Sequence, residues 1–74
     1  MNTVQIMQSM HLALIRSGVT LVITVRYNDC VVSEIKGQHG AVFYRTLCGK
    51  SVIADDIQKI KYITDGVMHE SAHS

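Results

Sequence analysis

Along residues 3–17 the apolar positions recur with the 3.6-residue period of a helix. At about 100° per residue, Val4, Ile6, Met7, Met10, Ala13, Leu14 and Ile15 share one broad arc. Gln5, Gln8, Ser9 and Arg16 take the other, with Leu12 as the apolar exception. Asn2 followed by Gln5 has the form of a capping box, and Gly18 supplies a left-handed stop. His11 falls inside the apolar arc. A lone imidazole there reads as a core-edge side chain with one hydrogen bond rather than as a ligand or catalyst.

From Val19 the period changes to two. Val19, Leu21, Ile23, Val25 and Tyr27 alternate with Thr20, Val22, Thr24 and Arg26, the pattern of a half-buried strand rich in β-branched residues. Asn28-Asp29 reads as a turn, and a loop over 28–30 places Val31 and Ile35 on the face of Ile23 and Tyr27. Cys30–Lys36 is the second strand, 37–40 a turn, Ala41–Leu47 the third strand, and Cys48-Gly49 a turn before Lys50–Ala54. Residues 55–58 read as one helical turn and Lys59–Thr64 as a last short strand. Ala41, Phe43 and Leu47 are assigned to the interior, which leaves Val42 and Tyr44 outside. Asp65-Gly66 opens a polar stretch, so residues 1–64 are expected to form one domain and 65–74 a flexible tail.

One helix followed by five short strands joined by tight turns predicts a mainly β fold, a small five-stranded barrel with an N-terminal helix. The stretch GVTLVITVRYNDCVVSEIKG…AVFYRTLCGKSVIADDIQKIKYI resembles the Sm-like (LSm and Hfq-type) small β-barrels, which share the SH3-like plan. Its ending, VIADDIQKIKYI, is similar to the second Sm motif. The chain is also similar to the YolD-like proteins of phages and mobile elements, with a leading helix, a Gly, an extended apolar strand and a final D-I-x-x-I. The resemblance spans roughly residues 9–63. It implies a non-enzymatic small-barrel protein that forms homo-oligomers. Such a protein would dock to a host regulatory partner, or hold a small nucleotide ligand, where subunits meet. The alternative it implies is Sm-like RNA binding, for which the matching positions are Lys36–Gly40 and Ala54–Asp56. Lys36, Gln38 and His39 are then the candidate ligand-binding residues, able to stack on a base or reach a phosphate. Asp55 and Asp56 stand where that family places a cation, which works against phosphate binding.

Composition sharpens this picture. The chain has 74 residues, 47% of them hydrophobic, and carries 7 Lys and Arg against 6 Asp and Glu. A domain this small buries only about 60% of its unfolded surface. Leu12, Val22, Val32, Val42 and Tyr44 fall on the second face of their elements, and a lone copy cannot cover both faces. Leu12, Val42 and Tyr44 are therefore expected at an interface between copies. The near-neutral charge gives no broad basic footprint for nucleic acid. Cys30 and Cys48, with no CxxC and no cationic leader segment, are read as reduced thiols in a cytoplasmic protein. No apolar run approaches the roughly 18–20 residues of a membrane span.

Catalytic patterns are sparse. His69-Glu70-Ser71-Ala72-His73 spells H-E-x-x-H, in which two imidazoles one helical turn apart hold zinc and the Glu activates water. No third ligand follows it, and a solvated tail is the expected reading, with no metal and no cofactor. Asp55 and Asp56 are adjacent and point apart, and neither Cys has a neighbouring His to lower its pKa. No catalytic residue is assigned.

Overall fold

The computed structural model describes residues 3–72, with side chains over 9–71. Helix α1 (Thr3–Arg16) is followed by strands β1 (Leu21–Val25), β2 (Asn28–Gln38), β3 (Ala41–Thr46) and β4 (Ser51–Ile53). A single 3-10 turn (Ala54–Asp56) leads to β5 (Lys59–Thr64) and β6 (Val67–Ala72). The expected capping box at Asn2 and Gln5, the inward facing of Val4, Ile6 and Met7, and His73 lie outside the described residues or side chains. The helix ends as its sequence implies. Val19 N–H donates to Leu14 O and Gly18 N–H to Ile15 O, both at 3.0 Å, with Gly18 at φ 86°. That pair of bonds is a Schellman stop, which needs a residue tolerant of positive φ at position 18.

The class is mainly β, as expected, but the strands form one six-stranded antiparallel sheet in the order β4-β3-β2-β1-β5-β6. It is not closed into the expected five-stranded barrel. Closure would require β4 to reach the free edge of β5, and β6 holds that edge through pairs from Lys59↔Ala72 to Thr64↔Val67. The expected tail is therefore a strand over most of its length. β2 is long enough to serve two halves of the sheet, pairing with β1 at its start and β3 at its end. A register shift between Val32 and Glu34 leaves Ser33 as an extra residue, so Val32 and Ile35 both face the core.

Two strand assignments are corrected. The first hairpin turns at Arg26-Tyr27, with Val25 paired to Asn28, rather than at Asn28-Asp29. Ile23 consequently pairs with Cys30, and Val31 lies on the outer face beside Val22. The third strand is inverted relative to expectation: Tyr44 is 1% exposed, Val42 packs against the core, and Leu47 is 72% exposed. Phe43 and Ile53 pair on the opposite face, each half-buried. Tyr44 is thus not available as an interface between copies, and Val42, half-buried, packs on the core side rather than outside.

The core consists of Leu21, Ile23, Val32, Tyr44, Ala54, Ile57 and Ile60. Helix α1 lies over it and contributes Ile15 and His11. His11 is 1% exposed, and its Nδ1 is hydrogen-bonded to the Tyr44 hydroxyl at 2.8 Å, the rings edge to face. The inward face of Tyr44 follows from this: an apolar arc carrying a buried imidazole needs a polar partner on the sheet. Burial pushes the Tyr44 hydroxyl up to about 12, so it stays protonated as a hydrogen-bonding group.

Candidate functional site

Of the residues assigned a ligand-binding role from sequence, Lys36, Gln38 and His39 lie together at the tip of the β2–β3 hairpin. All three are exposed. His39 and Gly40 make the turn at φ 52° and 80°. Lys36 Nζ approaches Glu34 Oε1 at 3.7 Å, a loose surface pair that leaves the ammonium in water. Residues 36–40 of the tip are all solvent-exposed. Leu12 is half-buried on the helix.

Of the H-E-x-x-H string, His69 and Glu70 lie among the described residues, and His73 lies outside them. Those two residues lie in β6, a strand and not a helix, so as successive residues they face opposite ways. His69 faces inward, stacked on Tyr62 with ring centroids 4.8 Å apart, its Nε2 hydrogen-bonded to Thr64 Oγ1 at 2.8 Å. Glu70 faces outward and accepts from Lys59 Nζ at 2.7 Å. Among the described residues no group of three His, Cys, Asp or Glu could hold a metal.

The structure reveals two concave sites that periodicity did not. The first is a groove of about 690 Å³ on the outer face of β1, β2, β5 and β6. Val22 and Val31, directly paired, form its floor, and Ile63 and Met68, also paired and each 56% exposed, form its wall. Lys61 crosses one end and donates to Asp29 Oδ2 at 2.8 Å, while Thr24 Oγ1 donates to Asp29 Oδ1 at 2.6 Å. Hydrogen bonds from Lys61 and then Thr24 hold the Asp29 carboxyl below its ordinary range. Lys59 does the same to Glu70 through its hydrogen bond and charge, and is itself raised. The charges beside this groove therefore neutralise one another, leaving an apolar floor. No signal short of the register, which sets Val31 beside Val22, could have found it.

The second groove, of about 500 Å³, opens between the β1–β2 turn, the β3–β4 turn and the segment after the 3-10 turn. Arg26, Tyr27, Lys50, Asp56 and Gln58 line it, with Val25 and Val52 at the apolar base. Tyr27 is 91% exposed. Nearby, the Cys48 thiol lies below its ordinary pKa, chiefly because the Thr46 hydroxyl, 3.1 Å away, hydrogen-bonds it. Cys30 is half-buried, and both cysteines are free thiols.

No family model, curated protein or solved structure matches the chain. Among the described residues no helix is long and apolar enough to cross a membrane.

Proposed function

We propose that this protein is a small, mainly β, non-enzymatic binding protein. In this reading it associates with copies of itself and engages a regulatory protein or a small ligand beside the surface where copies meet. The observation that carries this reading is the outer-face groove. Val22, Val31, Ile63 and Met68 form a continuous apolar surface on a strand-paired, rigid face, and the adjoining charges are already paired. A surface of that kind suits another protein surface better than a phosphate backbone. The resemblance to Sm-like and YolD-like proteins supports the same reading, since both imply assembly. Beside the groove, β6 presents an unpaired strand edge, the usual template for pairing with another chain.

Light scattering after size exclusion tests the assembly at micromolar concentration. The protein is expected to exceed one chain in mass, and Ile63→Asp with Met68→Asp should reduce it to single chains with the strand signal intact. A wild-type chain that runs as a monomer throughout overturns the reading.

Sm-like RNA binding is the second reading, favoured by the exposed Lys36, Gln38 and His39 at one hairpin tip. Asp55 and Asp56, both exposed, weigh against it.

A further inference from the structure

Of the seven Lys and Arg side chains, Lys36, Lys59 and Lys61 are engaged in ion pairs. Among the described residues Arg16, Arg26, Arg45 and Lys50 are not, and of these Arg26 and Lys50 line the second groove. Tyr27 lines the same groove, with almost its whole side chain in solvent. Solvation alone does not account for this arrangement, because the turn that presents the ring is unfavourable for its residues.

Arg26 and Tyr27 have φ of 50° and 65°. A two-residue hairpin turn with both φ positive ordinarily takes Asn-Gly, since side chains with a Cβ are strained there. The strained turn is held from two sides: Tyr27 N–H donates to Gln58 Oε1 at 2.9 Å, and Asn28 Nδ2 donates to Arg26 O at 3.2 Å. The result is an exposed aromatic ring on an anchored turn, with two cations outside any ion pair around one groove. Asp56 is the acid on its lining, so the groove is net cationic. An exposed ring offers a stacking platform to a flat π-system, and neighbouring Arg and Lys offer charge-assisted donors to an anion attached to it.

We propose that this groove binds a nucleobase carrying an adjacent phosphate, with the base stacked on Tyr27 and the phosphate held by Arg26 and Lys50. Gln58, whose Oε1 anchors the turn, also lines the groove. A free nucleotide and a single-stranded nucleic acid both supply this chemistry, and the groove has room for one nucleotide. It shares no lining residue with the outer-face groove, so the site can fail without the assembly failing, and the reverse.

The test uses the full chain and two probes, adenosine 5′-monophosphate by calorimetry and a fluorescein-labelled short oligouridylate by anisotropy, at about 50 and about 200 mM salt. Binding of the monophosphate identifies a free nucleotide as the source; binding of the oligonucleotide alone identifies a strand. Tyr27→Gly should weaken whichever probe binds by roughly tenfold or more while its melting temperature stays level or rises, because glycine relieves the strained turn. Tyr27→Phe should keep most of the affinity, and Arg26→Ala with Lys50→Ala should weaken binding and flatten its salt dependence. If Tyr27→Gly lowers the melting temperature, Tyr27→Asn, also tolerant of positive φ, replaces it. Failure of both probes to bind overturns the proposal, as does affinity unchanged by removal of the ring.

Discussion

Removing the Tyr44 hydroxyl, as in Tyr44→Phe, takes from His11 Nδ1 its 2.8 Å partner inside the core. The expected loss is about 1–3 kcal/mol, read as a lower urea midpoint with the helix signal preserved. Tyr44→Asp is a different experiment. It sets a carboxylate at a position 1% exposed, costs several kcal/mol, and should unfold the chain rather than split an assembly. Circular dichroism paired with light scattering distinguishes the two results. Ile23→Ala, at a position with no exposure, should cost about 2–5 kcal/mol in chemical denaturation. The facing of Ile23 was legible because β1 alternates strictly from Val19. That of Tyr44 was not, because Ala41, Val42, Phe43 and Tyr44 are consecutive apolar residues and a period of two has no phase within them. The phase comes from His11 on another element. Periodicity within one strand carries no information about such a partner.

At the scale of elements, β6 is joined to β5 by the Lys59–Glu70 pair and the Tyr62–His69 stack. It contributes nothing to the buried core. Truncation after Thr64 should therefore preserve the fold while lowering stability by about 1–2 kcal/mol, mostly from the lost stack and pairing. Concentration-dependent aggregation should also rise as the β5 edge is uncovered. The pattern of β6 resembles a tail because each face mixes apolar and polar residues, and a strand at an edge needs no buried face. Acid acts on the same region. Asp29 and Glu70 both titrate below their ordinary range, so they favour the folded state above about pH 4–5. That contribution fades as pH falls through their lowered folded values. Urea midpoints should fall as pH drops below about 4–5, less steeply in Asp29→Asn and Glu70→Gln.

For the whole molecule, the helix, the approximate positions of the first five strands and the mainly β class follow from local pattern, because each is fixed by neighbours in sequence. Closure, edge identity and the two grooves depend on register between strands. The turn illustrates why register is hard to read. Asn28-Asp29 has ordinary turn chemistry, yet the chain reverses two residues earlier at Arg26-Tyr27 and every β2 residue changes partner. An Arg-Tyr pair carries no turn signal, and Gln58, which anchors it, lies 31 residues away. Thiol chemistry gives an independent check on the molecule as built. Cys48, exposed and lowered by Thr46, should be alkylated well before Cys30 in a mass-resolved iodoacetamide time course. Thr46→Val should slow it most near neutral pH, where the thiolate fraction is limiting.

The hydrogen bond between His11 and Tyr44 joins residues 33 apart in the chain, and it sets an order of events. During synthesis α1 is made first, yet its buried imidazole has no Tyr44 to meet until β3 has been completed. The central strand β1 is in the same position, since Ile23 needs Ile60 on β5. The first half of the chain therefore carries apolar surface it cannot cover alone, while the hairpins β2–β3 and β5–β6 close locally. Helix docking is expected late, coupled to the arrival of β5. A nascent or truncated chain ending before Lys59 should be a client for chaperones rather than a folded intermediate.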